Sequence, residues 1–572
     1  MFSCLRHRNA CRTKQEERNA AINNWGYPDM NKPVSPGDLN ILNKPVSQIV
    51  EEVKANQLAP ADVLATYMRK ALRAQVETNC LTEILVDFAN AKAKECNKEG
   101  PLAGMPVSLK DTVGVQGYDS CIGYSAWTGK PFTKDSAIVR LLVDAGAVPF
   151  VKTNVPITLL SFESFNDVWG RTTNPHKKTH SAGGSTGGEA ALLAYGGSRI
   201  GIGTDVAGSV RVPGHYSGIY TVKASVGRIP RSGCSTSMPG QEGVPAVYSP
   251  MARTLEDLEY FWKAVVSMKP WKYDHSCLPL PWRPFDVPSN RPLRWGIMKY
   301  DGCVRLSPAC ERALDQVIDV LRKHGHEVID ISPPNPYEGI RLASQLLLAE
   351  GGKIPTDPLR SGESNDPGII QALRTANLPN IIRKIYALYV RYIRRDEVYA
   401  GLIDGFSAKS TKETWGLIAQ REAYKGKWFE FWNEEELDFV LTAPNALPAV
   451  PHGGMKKGWK VCGYSFLFNL LDYSAGVLPI TKVDATLDAL PHGFKSTNAI
   501  EAGAYAMYKP KDMDGLPLGV QVVGRRLEEE KVMEGMKIIQ DLMQKEVVLS
   551  LLRLCLSLHR MGFGKRRLSS CD

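Results

Sequence analysis

Three observations predict that the chain folds as an α/β protein. Short apolar runs of strand length alternate with longer stretches whose apolar residues recur at helical period. The residues richest in Gly, Ser, Thr and Pro fall where those strands end, the usual place for chemistry in such folds. The chain has 572 residues, 43% apolar and 23% charged, enough to bury a large core and giving no argument for disorder.

The elements follow in order. Residues 47–54 and 59–76 read as helices, the second because Ala61, Val63, Leu64, Tyr67, Met68 and Leu72 recur at helical spacing behind Pro60, which suits a first turn. Residues 106–109 form a short buried strand that delivers Lys110 at its end. Asp135 or Ser136 caps a helix that turns Val139, Leu142 and Val143 inward, and Ala145-Gly146-Ala147 stops it. Residues 148–152 are the next strand, opening into Thr153-Asn154-Val155-Pro156. A compact apolar helix over 189–195, a glycine-rich strand over 200–203 and a helix capped at Thr254 come next. A proline-rich connector over 270–292 leads to a strand at 294–298, a helix at 308–324 and two late buried strands at 438–441 and 518–523. Residues 381–395 set Ile385, Leu388, Tyr389 and Tyr392 on one face and Arg383, Lys384, Arg391 and Arg394 around the other. That pattern predicts a docked amphipathic helix, with a lid over a membrane surface as the alternative.

Charge and cysteine usage narrow the classes of function. The formal charge of +10 is modest for the length, and part of it sits near the ends in Arg6, Arg8, Arg12 and Lys14 and in Lys565, Arg566 and Arg567. No basic run interleaved with aromatics tracks an element, so no nucleic-acid partner is expected. The 12 cysteines are dispersed, with no C-x-x-C pair and no Cys/His cluster at metal-ligand spacing, which predicts reduced thiols in the cytoplasm. The first residues carry no apolar core of a signal peptide, and no window holds about 18 uninterrupted apolar residues, so stable membrane insertion is not expected.

The chemistry concentrates in two segments of small residues. Gly183-Gly184-Ser185-Thr186-Gly187-Gly188-Glu189 and Gly203-Thr204-Asp205-Val206-Ala207-Gly208-Ser209-Val210-Arg211 each set a serine in a backbone with little bulk and many N–H groups. Acyl transfer needs a hydroxyl among inward-pointing amides, because nucleophile and oxyanion stabilisation then arrive together. Ser209 is the expected nucleophile, with the amides of Val206, Ala207, Gly208 and Ser209 around the developing oxyanion. The alternative is a plain glycine-rich loop.

Ser185 fits two readings. Gly183-Gly184-Ser185-Thr186-Gly187 satisfies the G-x-S-x-G elbow of α/β-hydrolases, but the residues before it, His176-Lys177-Lys178-Thr179-His180, are polar where that elbow follows an apolar strand. As a bridge, Ser185 would relay a proton between Ser209 and Lys110. Lys110 must be neutral to accept it, which burial away from carboxylates would favour. Asp111 could instead hold it charged, and a surface lysine after a strand is the plain alternative. Asp205 and Arg211 are expected to hold the nucleophile loop.

Together with Ser108-Leu109-Lys110-Asp111 and Val151-Lys152-Thr153-Asn154-Val155-Pro156, these segments resemble the amidase signature family over residues 60–540. Pro270-Trp271-Lys272-Tyr273-Asp274 and Val520-Gln521-Val522-Val523-Gly524 look like its fungal acetamidase branch. The resemblance implies a triad of Ser209, Ser185 and Lys110 with a cis peptide into Ser185, and Leu159 lining the substrate site with its backbone. It implies one large domain, a twisted mixed sheet surrounded by helices, and hydrolysis of a small-molecule monocarboxylic acid amide without metal or organic cofactor.

The expected organisation is a helical extension over 1–59, the family domain over 60–545 and an atypical tail over 546–572. A homodimer is compatible with it. Ala207, Thr186 and Ile157 depart from the family's usual glycine, serine and glutamine, which bears on substrate size and rate. Three other readings stay open. They are a fatty-acid amide hydrolase, a subunit of a tRNA-dependent amidotransferase and a non-catalytic relative.

Overall fold

Pro106–Lys110 is buried at every residue, which is what a strand covered on both faces requires. It pairs in parallel with Val148–Thr153 on one side and with Ile200–Asp205 on the other. Around these three strands the computed structural model of the chain, which describes residues 2–25 and 32–560, places a mixed sheet of eleven strands. Leu81–Ile84 closes one edge antiparallel to Val148–Thr153. Beyond Ile200–Asp205 the sheet continues through Val247–Ala252, Tyr220–Lys223, Ala475–Lys482, Pro517–Val523, Phe439–Thr442 and Arg294–Ile297 to Glu327–Asp330. Helices cover both faces, giving a single large α/β fold.

The expected strands and helices form within one to three residues of their predicted bounds. The helix Pro60–Thr78 buries Val63, Leu64, Tyr67, Met68 and Leu72 of the stripe read from its spacing, while Ala61 in the first turn is exposed. Thr254 caps Leu255–Ser267 by accepting from Asp257 N–H at 3.2 Å. Of the two candidate caps near residue 136, Ser136 holds the N-cap position of Ala137–Asp144 without a side-chain bond. Asp135 accepts from Gln116 N–H at 2.8 Å instead.

One expectation is overturned. Asn380–Leu388 is a helix continued by a π-turn over Tyr389–Ile393, but its large apolar side chains face solvent. Ile381, Ile385, Tyr392 and Ile393 are 73, 60, 69 and 71% exposed, and Leu388 and Tyr389 are exposed as well. The helix docks through the narrower stripe of Ala387 and Val390, which packs against Ala400 and Ile403. Arg383 is buried beside that stripe and donates to Asn380 Oδ1 at 2.8 Å. Small residues permit close approach to Glu397–Gly405, and that contact, not the larger apolar face, selects the docked side.

The two ends meet the body differently. The helix Phe2–Trp25 is held by Lys14, whose buried ammonium lies 2.7 Å from Glu83 and 3.1 Å from Asp119. Arg18 also donates to Leu81 O at 2.8 Å. At the other end, Glu529–Arg560 buries Val532, Met533, Met536 and Ile539, while Val547, Val548 and Leu549 face solvent. The basic run Lys565-Arg566-Arg567 lies outside the described residues. Among the described residues no helix is long and apolar enough to cross a membrane.

Candidate active site

The site forms where the parallel strands end, at the carboxyl edge favoured for binding in such sheets. In register, Ser108 and Leu109 lie beside Gly201 and Ile202, so Lys110 arrives next to the end of Ile200–Asp205. Lys110 is fully buried. Its Nζ donates to Ser185 Oγ at 2.8 Å, Thr186 Oγ1 at 2.9 Å and Thr204 Oγ1 at 2.6 Å. Burial lowers its pKa from 10.5 to about 7, against the opposing pull of Asp205 and Glu189. The neighbouring Asp111 does not hold it charged. That carboxyl turns to Lys152 at 3.3 Å and accepts from Ile122 N–H at 2.8 Å and Thr82 Oγ1 at 3.2 Å.

Ser185 follows a cis Gly184–Ser185 peptide and precedes the helix Gly187–Tyr195. Gly184 lies so close to the 161–162 backbone that a Cβ there would come within 2.3 Å of Ser161 O, and this is why no larger residue serves. Glu189, in the first turn of that helix, is buried and accepts from Ser108 Oγ and from Thr153 Oγ1 at 2.9 Å. Burial raises its carboxyl to about 7, opposed by those two hydroxyls and by Lys110.

Ser209 sits in the loop between Ile200–Asp205 and the helix Arg211–Ser217, and its side chain lines a cavity. Its carbonyl accepts from Thr186 N–H at 3.2 Å, which ties the two serine-bearing loops together. Among the described residues no hydrogen bond joins Ser209 Oγ to Ser185 Oγ, so the lysine half of the expected relay is made and the nucleophile half is not.

The loop is held by Asp205, as expected. It accepts from Gly208 N–H at 2.8 Å and Val210 N–H at 3.2 Å, and pairs with Arg211 at 3.0 Å. Arg211 extends the network to Ser465 O and Gln521 Oε1, each at 2.8 Å. Burial alone would raise the Asp205 carboxyl, but the guanidinium beside it holds it well below the usual carboxylate range.

This network corrects one expectation. The Gly208 N–H is committed to Asp205 and is not free for an oxyanion. What Gly208 supplies is its backbone, at φ 115°, in a position where a Cβ would lie 2.2 Å from Ser465 Oγ. The N–H groups of Val206, Ala207 and Ser209 have no protein partner among the described residues.

Leu159 borders the site through a left-handed turn, with φ 64° at Thr158 and 61° at Leu159. It lines two adjoining cavities. One is narrow, about 70 Å³, and its wall is mostly apolar: Phe162, Ile340, Leu347, Leu402, Phe406 and Trp459 face the space next to Ser209. The other is more polar and passes Thr204, Val206, Cys234, Arg231 and Glu242. Sequence reasoning missed Thr204, which meets Lys110 from the neighbouring strand, and Glu189, which lies near it from the first turn of the helix after Ser185. It also missed the apolar walls, because Ile340, Leu347, Leu402 and Trp459 read locally as core.

The profile of the amidase family matches residues 62–533. The chain therefore belongs to the amidase signature family and is a hydrolase acting on amide carbon–nitrogen bonds. It is 32% identical over 529 residues to an acetamidase of Aspergillus oryzae, covering 88% of this chain and 91% of that one. It is 34% identical over 504 residues to fatty-acid amide hydrolase 1 of Sus scrofa, covering 88 and 86%. A solved fatty acid amide hydrolase superposes with a TM-score of 0.81 at 26% identity, covering 94% of this chain and 95% of that chain.

Proposed function

We infer that the protein hydrolyses monocarboxylic acid amides through an acyl-enzyme on Ser209. The observation that carries this is a buried lysine, depressed to about 7 and hydrogen-bonded at 2.8 Å to Ser185, in the loop bonded to the backbone of Ser209. Ser209 Oγ attacks the amide carbon. Its proton passes through Ser185 to Lys110, which requires the two serine hydroxyls to close on each other when substrate binds, as catalytic hydrogen bonds commonly do. The free amides of Val206, Ala207 and Ser209 receive the oxyanion, where losing one such donor typically costs about 3 kcal/mol of transition-state stabilisation.

Collapse of the tetrahedral intermediate breaks the carbon–nitrogen bond. The proton returns through Ser185 to the leaving nitrogen, releasing ammonia or an amine. Water then adds to the acyl-enzyme, the same relay takes its proton, and the carboxylate leaves with Ser209 restored.

The apolar wall beside Ser209 supports an acyl group that carries apolar surface, because those side chains would take that surface out of water. A panel of acetamide, phenylacetamide and decanamide, assayed for ammonia, tests the reading. Turnover is expected to rise with apolar acyl size in the wild type and to vanish in Ser209→Ala. Hydrolysis of the panel by folded Ser209→Ala at the wild-type rate would refute it.

A further inference from the structure

Three hydroxyls surround the Lys110 amine, and counting protons limits what each can do. An ammonium has three N–H groups and could donate to Ser185, Thr186 and Thr204 at once. The neutral amine has two N–H groups and one lone pair, so one of the three hydroxyls must donate to it. Thr186 is not that one, because its proton is directed to Thr204 O at 3.2 Å and its oxygen therefore accepts from the lysine. Ser185 and Thr204 remain. Neither hydroxyl has another protein acceptor among the described residues.

The geometry points to Thr186 and Thr204 as a pair of positioning residues. They take the two N–H groups of neutral Lys110 and so turn its lone pair toward Ser185. This rests on the proposed relay, in which Ser185 must give its proton to the lysine. The contact to Thr204 at 2.6 Å is the shortest of the three, and Thr204 reaches the amine from the end of Ile200–Asp205, a different element from the loop that carries Ser185. With either threonine methylated in place of its hydroxyl, one N–H must go to Ser185. The lone pair then faces away from the relay and Ser185 becomes an acceptor.

The charged groups facing Lys110 are Asp205, paired with Arg211, and Glu189, bonded to Ser108 and Thr153. A substitution at residue 204 leaves both in place, so its effect on the lysine has a definite sign. Removing an acceptor weakens the ammonium, which uses all three hydroxyls, more than the amine, which donates to two. The Lys110 pKa falls further.

The test measures kcat, KM and the pH profile of kcat/KM for Thr204→Val and Thr204→Ser on an accepted amide. Thr204→Val is expected to lose about a hundredfold in kcat, the lower end of what positioned proton transfer contributes, with KM held and the acid limb moved to lower pH. Thr204→Ser is expected to restore both rate and limb. A wild-type rate in Thr204→Val would overturn the proposal. So would an acid limb displaced upward, toward an ordinary lysine, or a serine variant as slow as the valine one, since loosened packing produces those results.

If the valine variant does not fold, Thr186→Ala against Thr186→Ser carries the same comparison. Lys110→Ala separates the two levels of inference. An active Lys110→Ala defeats the relay itself, whereas an inactive one beside a normal Thr204→Val defeats only the role of the threonines.

Discussion

Lys110 shows how the surroundings of one side chain set its chemistry. On a surface it would be a hydrated cation near 10.5, and here burial brings it to about 7, where it can take a proton at neutral pH. The sign of the resulting pH dependence follows directly. In the proposed relay the amine is the working form, so kcat/KM is expected to fall as pH drops below about 7 and to level off above it. Glu189 titrates in the same range, and its carboxylate favours the ammonium, so the limb belongs to the coupled pair. Glu189→Gln removes that pull and should shift the limb to lower pH, which a pH–rate profile reads. At this scale the sequence was informative about Ser185 and Ser209, whose neighbours along the chain are mostly small residues, and about Lys110, which ends a short apolar run. It was uninformative about Thr204, because its contact with Lys110 is made across two paired strands.

Among the elements, the strand Pro106–Lys110 and the helix Asn380–Leu388 make opposite uses of apolar residues. Leu109 is fully buried where two parallel neighbours flank it, and Leu109→Ala should destabilise the fold by about 2–5 kcal/mol. Ile385→Asp, on the solvent face of the helix, should change stability by no more than about 0.5 kcal/mol in the same denaturation measurement. A core-sized loss at Ile385 would mean that this face is buried after all.

Periodicity identified both elements but could not say which stripe of a short helix docks. Ala387 and Val390 win because they let two backbones approach, a property of the partner as much as of the sequence. Strands such as Tyr220–Lys223 and Ala475–Lys482 escaped notice for a related reason. Their strand character comes from pairing with each other, and with Val247–Ala252 and Pro517–Val523 respectively.

Across the whole molecule, the site is assembled from segments that the sheet brings together from distant parts of the chain. Lys110, Ser185 and Ser209 come from its first half, and the apolar walls from Pro336–Leu347, Glu397–Gly405 and the region of Trp459 to Phe466. The serine-bearing loops were legible because a backbone-lined site leaves a compositional trace in glycine and serine. The apolar walls were not, because an apolar cavity wall and an apolar core use the same residues.

The central claim is that Ser209 is a nucleophile activated through Ser185 by neutral Lys110. Labelling with an alkyl fluorophosphonate, followed by peptide mass spectrometry, tests it most directly. A single adduct on Ser209 is expected, absent in Ser209→Ala and formed far more slowly in Lys110→Ala and Ser185→Ala. An adduct on another residue, or unchanged labelling rates in those two variants, would contradict it.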